Sequence, residues 1–73
     1  MRDERLLKCQ TVHLIGDLLS RATGHKVQAY LNGDNTRVDV YCDNRTLLSV
    51  NVTSDSPIAI VGDVVPRAVQ RLM

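Results

Sequence analysis

The sequence predicts a small α+β domain of order α-β-β-β-α, in which a three-stranded antiparallel meander carries two helices packed on one face. Three observations lead there. Apolar residues recur at helical spacing from Asp3 to Ala22, three short segments then alternate apolar with polar residues, and the C-terminal segment returns to the helical period. A helix turns its buried stripe inward every 3.6 residues, whereas a half-buried strand does so at every second residue.

In the first element Leu7, Leu14, Ile15, Leu18, Leu19 and Ala22 form the stripe expected to face the core, with Val12 on its flank. Asp3 offers an N-terminal cap, and Gly24 stands where a left-handed residue ends a helix. Opposite Leu14 and Leu18 the same period gathers Leu6, Cys9, His13, Gly16, Asp17 and Ser20. A glycine inside a helix costs about 1 kcal/mol relative to alanine, so Gly16 calls for a reason. The small residues Cys9, Gly16 and Ser20 beside Leu6 suggest one: a strip that lets a partner helix, or a second copy of this chain, approach closely. Leu6, Cys9, His13, Gly16 and Ser20 are thus one candidate partner-binding surface.

The strands follow. Val27, Ala29 and Leu31 alternate with Gln28 and Tyr30; beyond Asn-Gly-Asp-Asn-Thr, Val38, Val40 and Cys42 alternate with Arg37, Asp39 and Tyr41. Alternation on both sides of a turn rich in Asn, Gly and Asp is a strong hairpin signal. Placing Asp34 and Asn35 at the tip pairs Leu31 with Val38 and Ala29 with Val40, so both strands turn their apolar sides the same way. Asp43-Asn44-Arg45-Thr46 makes a second turn, after which Leu48, Val50 and Val52 alternate with Ser49, Asn51 and Thr53.

For the C-terminal segment, Asp55 or Ser56 before Pro57 is a good helix start, and Ile58, Val61, Val65, Ala68, Val69 and Leu72 share a side. Pro66 removes the hydrogen bond to the Gly62 carbonyl and crowds that turn. Two paths fit: a kinked helix from Pro57, which is the preferred one, or a short strand over 58–61 followed by a helix capped by Asp63.

Size and charge bound the function. The 73 residues make one domain, 1–73, and a chain this short buries only about 60% of its unfolded surface. With 44% apolar residues it should fold, and with no Trp or Phe its core must be aliphatic. Nine basic residues, seven of them Arg, against eight acidic ones give a net charge of +1 without blocks, which disfavours a dedicated binder of phosphate backbones. The N-terminus lacks a signal-peptide pattern and no segment approaches the roughly 20 apolar residues of a membrane span, so a cytoplasmic protein without membrane contact is expected. Cys9 and Cys42 are expected to lie apart as free thiols, which suits a reducing compartment.

The outer sheet face is the other candidate partner-binding surface, presenting Gln28, Tyr30, Arg37, Asp39, Tyr41 and Asn51. Its two tyrosines lie diagonally, and aromatic rings on an open sheet suit a protein contact or the stacking of unpaired bases, with Arg37 available to a phosphate. Catalysis has one weak candidate in His25, with Asp43 across the ladder. Cys9 and His13 have the i, i+4 spacing of metal ligands but are too few for zinc. No catalytic, metal or cofactor assignment follows. In its order of elements the chain resembles double-stranded RNA-binding domains and small HicA-type toxins. Its second helix lacks the basic cluster of the former and its strands lack the Gly-Ser-His motif of the latter, so order alone assigns no family. The expectation is a small non-enzymatic regulatory module that binds another protein or itself, of the kind phages and mobile elements encode against host machinery. A nucleic-acid-binding domain using Tyr30, Tyr41 and Arg37 is the alternative.

Overall fold

In the computed structural model, which describes residues 4–72, the elements are α1 (Glu4–Thr23), β1 (Val27–Leu31), β2 (Arg37–Cys42), β3 (Arg45–Asn51) and α2 (Pro57–Leu72). The strands pair antiparallel in the order β1-β2-β3. Leu31 lies opposite Val38, Ala29 opposite Val40 and Tyr30 opposite Asp39, which is the expected register. The proposed cap Asp3 lies outside the described residues. At the other end of α1, Gly24 has φ 77° and its N–H donates to Ser20 O at 2.9 Å, which ends the helix in the left-handed conformation.

The two hairpins close by different chemistry. In the first, Asn32 works from inside the loop: its Oδ1 accepts from Thr36 N at 2.8 Å and Arg37 N at 3.0 Å, and its Nδ2 donates to Thr36 Oγ1. The positive φ of that loop falls on Asn35 (60°) and not on Gly33. In the second, Cys42 pairs with Arg45, leaving a two-residue loop in which Asp43 and Asn44 take φ 52° and 70°. Positive φ at both central residues marks a type I′ turn, whose twist matches that of the flanking strands. A register shift follows at once: Val40 pairs with Leu48 and Tyr41 with Thr46, so Leu47 is an extra residue in β3. The bulge restores Leu48, Val50 and Val52 to the inner side beneath α2.

Helix α2 runs unbroken from Pro57 to Leu72, so residues 58–61 are helical, as in the preferred path, and not a strand. Ser56 caps it, accepting from Ala59 N with its hydroxyl and from Ile60 N with its carbonyl, and Pro57 takes the first helical position, where its missing N–H has no consequence. Ile60, Val64 and Ala68, spaced by four, are its buried row. Pro66 and Gly62 both lie on the exposed side, so the carbonyl that Pro66 leaves without a helical partner faces water.

Both helices cover the same sheet face, α1 over β1 and α2 over β3, packed against each other. The core between them is aliphatic throughout, with Val12, Val38, Val40, Val52, Ile60 and Val64 wholly excluded from solvent. The azimuth of α1 differs from the expected one. Its buried row is Lys8, Val12, Ile15, Gly16 and Leu19, while Leu14 and Leu18 are 65% and 57% exposed. Leu7 and Ala22 are exposed too.

The free edge of β1 explains the choice. Ser20 Oγ accepts from Val27 N at 2.8 Å and donates to Val27 O at 2.7 Å, supplying both bonds that a missing neighbour strand would have made. Such an edge left bare costs unmade hydrogen bonds and invites pairing with other chains. Gly16 lies where α1 touches the strand: a Cβ there would meet Ala29 N at 2.9 Å and the Gln28 backbone at 3.4 Å. The helix glycine is a close-approach residue, and it serves the chain's own sheet.

Candidate functional site

With both helices on one side, the outer face of the sheet stays open. Gln28, Arg37 and Asn51 are exposed there, Asp39 and Tyr41 are half-buried, and Tyr30 is 45% exposed. The diagonal pair Tyr30 and Tyr41 meets edge to face, centroids 5.9 Å apart at 63°. Turning α1 toward β1 also brings His13 over the sheet edge, where its ring stands against Tyr30 at 6.0 Å and 81°. A ladder of three rings therefore runs from helix to sheet, each edge-to-face contact setting a positive ring edge against a negative face.

Shallow grooves flank the ladder. One, of ≈ 350 Å³, lies between α1 and β1 and is lined by His13, Gly16, Asp17, Gln28 and Tyr30. A second, of ≈ 400 Å³, is lined by Gln28, Tyr30, Tyr41 and Asn44. They share Gln28 and Tyr30, so they are two ends of one surface. Among the described residues, the Asp17 carboxylate and the Gln28 amide have no hydrogen-bond partner. The opposite end of the face is already engaged: Arg37 Nε pairs with Asp39 Oδ1 at 3.2 Å, and Ser49 Oγ donates to the same oxygen at 2.6 Å. Asn51 Oδ1 accepts from Thr53 N and so helps the chain leave β3.

The expected helix strip is rearranged. Gly16 and Ser20 lie against β1 and leave no strip for a partner helix, Cys9 is half-buried beside the inward row instead of facing away from it, and Leu6 and His13 remain exposed. The outward side of α1 carries Leu7, Leu14 and Leu18, and α2 exposes Ile58 at 79% and Val69 at 37%. These aliphatic side chains form a second accessible surface, on the helical side of the molecule.

His25 sits at the end of β1, its Nδ1 3.6 Å from Asp43 Oδ2, and Cys42 Sγ lies 3.7 Å from that same oxygen. Partial burial, then the neighbouring Asp43 charge and its hydrogen bond, raise the Cys42 thiol pKa, so the environment favours the protonated form. Among the described residues His25 pairs with the carboxylate and makes no hydrogen bond to the sulfur, unlike the thiol–imidazole pair of an activated cysteine nucleophile. Cys9 and Cys42 are both free thiols.

A further polar cluster joins the α2 approach to α1. Lys8 is among the buried residues of α1, and Asp55 Oδ2 is buried without a donor beside Asp63. The neighbouring Asp63 carboxyl as a hydrogen-bond partner, then desolvation, then the Asp63 charge raise the pKa of Asp55, with Lys8 opposing. Sequence reasoning missed this cluster because its members lie 8 to 55 residues apart in the chain with no shared period.

Among the described residues no helix is long and apolar enough to cross a membrane. Comparison with protein-family models, with curated proteins and with solved structures finds no match.

Proposed function

We propose that this chain is a small protein-interaction module, regulatory and not enzymatic, that recognises a partner through the outer sheet face around Tyr30 and Tyr41. The observation that carries the reading is the His13–Tyr30–Tyr41 ladder, an aromatic surface with unengaged polar groups beside it. Binding energy at protein interfaces concentrates on Tyr, Trp and Arg, because a ring buries much area for the loss of two torsions. Here each ring is propped by the next, so little of that freedom remains to be lost on binding. Asp17 and Gln28 add an acidic and an amide group at the groove, which suits a partner segment that presents a basic or hydrogen-bonding side chain between apolar ones.

The engagement of Arg37 by Asp39 weighs against phosphate recognition, since the nearest cation of the face is already neutralised. Single-strand binding keeps one supporting feature, the accessible tyrosine rings. Tyrosine emission separates the two readings, because the chain has no Trp and its only tyrosines are the two ladder residues. Titration with short single-stranded oligonucleotides at low salt should leave that emission unchanged. Affinity capture from the native cell should retain a protein that the Tyr30→Ala/Tyr41→Ala variant, still folded, releases. Salt-sensitive quenching by oligonucleotides, with no protein lost by the variant, would replace this reading with the nucleic-acid one.

A further inference from the structure

Outside the tyrosine face, three donors of different chemistry meet where the second hairpin turns beside the end of α1. A ring nitrogen of His25, Cys42 Sγ and an Asp43 carboxylate oxygen all lie within 4.8 Å of one another. The two pairs that share Asp43 Oδ2 are 3.6 Å and 3.7 Å apart. Tetrahedral zinc, with bonds near 2.0–2.1 Å to nitrogen, 2.0–2.2 Å to oxygen and 2.3 Å to sulfur, separates its ligand atoms by roughly 3.4–3.6 Å. The two edges at Asp43 Oδ2 thus stand within a few tenths of an ångström of those of a coordination tetrahedron, and the third, between His25 and Cys42, closes to that length by rotation of exposed side chains.

The backbone holds them there. Asp43 occupies the first of the two left-handed positions of the type I′ turn, and its N–H donates to Lys26 O at 2.9 Å. Its Oδ1 accepts from Lys26 N at 3.3 Å, so one carboxylate oxygen is anchored while the other is presented. Cys42 is the last residue of β2, held between Val27 and Arg45. His25 N donates to Thr23 Oγ1 at 3.2 Å, and that hydroxyl is tied to Leu19 O at 2.6 Å. Anchoring of this kind orients ligands before a metal arrives.

We propose that His25, Cys42 and Asp43 bind one divalent cation of the zinc class, with a fourth coordination position open to solvent. One sulfur, one imidazole nitrogen and one carboxylate oxygen suit zinc and its neighbours, whereas magnesium and calcium take all-oxygen sets. On binding, the Cys42 thiol releases its proton to solvent and the sulfur takes the metal, one proton per ion. The site lies beyond the partner-binding reading and does not depend on it.

Cobalt(II) is the direct probe, because a thiolate ligand gives a sulfur-to-metal charge-transfer band and a tetrahedral site gives intense visible bands. The reduced full-length chain is titrated alongside Cys9→Ser, Cys42→Ser and His25→Ala, each checked for fold by circular dichroism. Wild type and Cys9→Ser should bind one ion with the charge-transfer band. Cys42→Ser should lose the band, and His25→Ala should bind at least ~10-fold more weakly. Zinc should raise the melting temperature of wild type and Cys9→Ser but not of Cys42→Ser, since a ligand of the native state alone stabilises it. No band in wild type, a band that persists in Cys42→Ser, or one lost in Cys9→Ser would overturn the proposal.

Discussion

Replacing Gly16 with alanine sets two opposed effects against each other. In a solvated helix position the change gains about 1 kcal/mol of helix propensity. Here the added methyl would lie 2.9 Å from Ala29 N, a backbone atom that cannot rotate aside, and 3.4 Å from the Gln28 carbonyl carbon and Cα. Forcing an extra methyl into a packed contact costs about 1–3 kcal/mol, because helix or strand must retreat. Retreat also stretches the Ser20 bonds of 2.7 and 2.8 Å that close the β1 edge. The overlap outweighs the propensity, and a net loss of about 1 kcal/mol is expected from urea unfolding of Gly16→Ala, with unchanged m-value. Gly62→Ala is the matched control: nothing lies within 4 Å of a Cβ there, so the propensity gain should appear almost alone. If Gly16→Ala stabilises the protein as Gly62→Ala does, α1 does not rest on β1 as described.

Four other outcomes follow from the same geometry. Ser20→Ala strips both polar groups of Val27 of their partner and should cost about 1–2 kcal/mol in urea unfolding, with added concentration-dependent association in sedimentation as the β1 edge opens. Leu14→Glu should change stability by less than about 0.5 kcal/mol, whereas Leu19→Ala should cost about 2–5 kcal/mol, the reverse of what equal membership of one apolar stripe implies. The raised pKa of Asp55 means the folded chain holds that proton more readily than the unfolded one; its stabilising effect is full below the unfolded value and is lost as pH rises through the folded value. Asp55→Asn should therefore be more stable than wild type at neutral pH, and this difference should shrink on acidification in melts from pH 7 to pH 3.

The elements and strand register were legible because each rests on a local signal. Alternation around Asn32–Thr36 admits one register that keeps Ala29, Leu31, Val38 and Val40 on one side, and Ser56-Pro57 marks a helix start that needs no tertiary information. The azimuth of α1 was not legible, because leucines occupy more than half its circumference and two overlapping stripes share Ile15 and Leu19. What decides between them is Ser20 reaching a strand edge and Gly16 allowing the approach, a non-local demand invisible to periodicity. The bulge at Leu47 hid in the pair Leu47-Leu48, either of which fits an inward position. The tyrosine pair on the outer face was legible from alternation alone. Periodicity places His13 on the opposite helix surface, and its part in the ladder follows only from the rotated helix.

The two accessible surfaces, tyrosines on the sheet and leucines on the helices, make competing demands that one comparison separates. Wild type, Tyr30→Ala/Tyr41→Ala and Leu14→Glu/Leu18→Glu are used side by side as bait for affinity capture from the native cell, with circular dichroism confirming each fold. The tyrosine variant should lose the partner that wild type retains, and the leucine variant should keep it. Loss with the leucine variant and retention with the tyrosine variant would move recognition to the helical side and contradict the account.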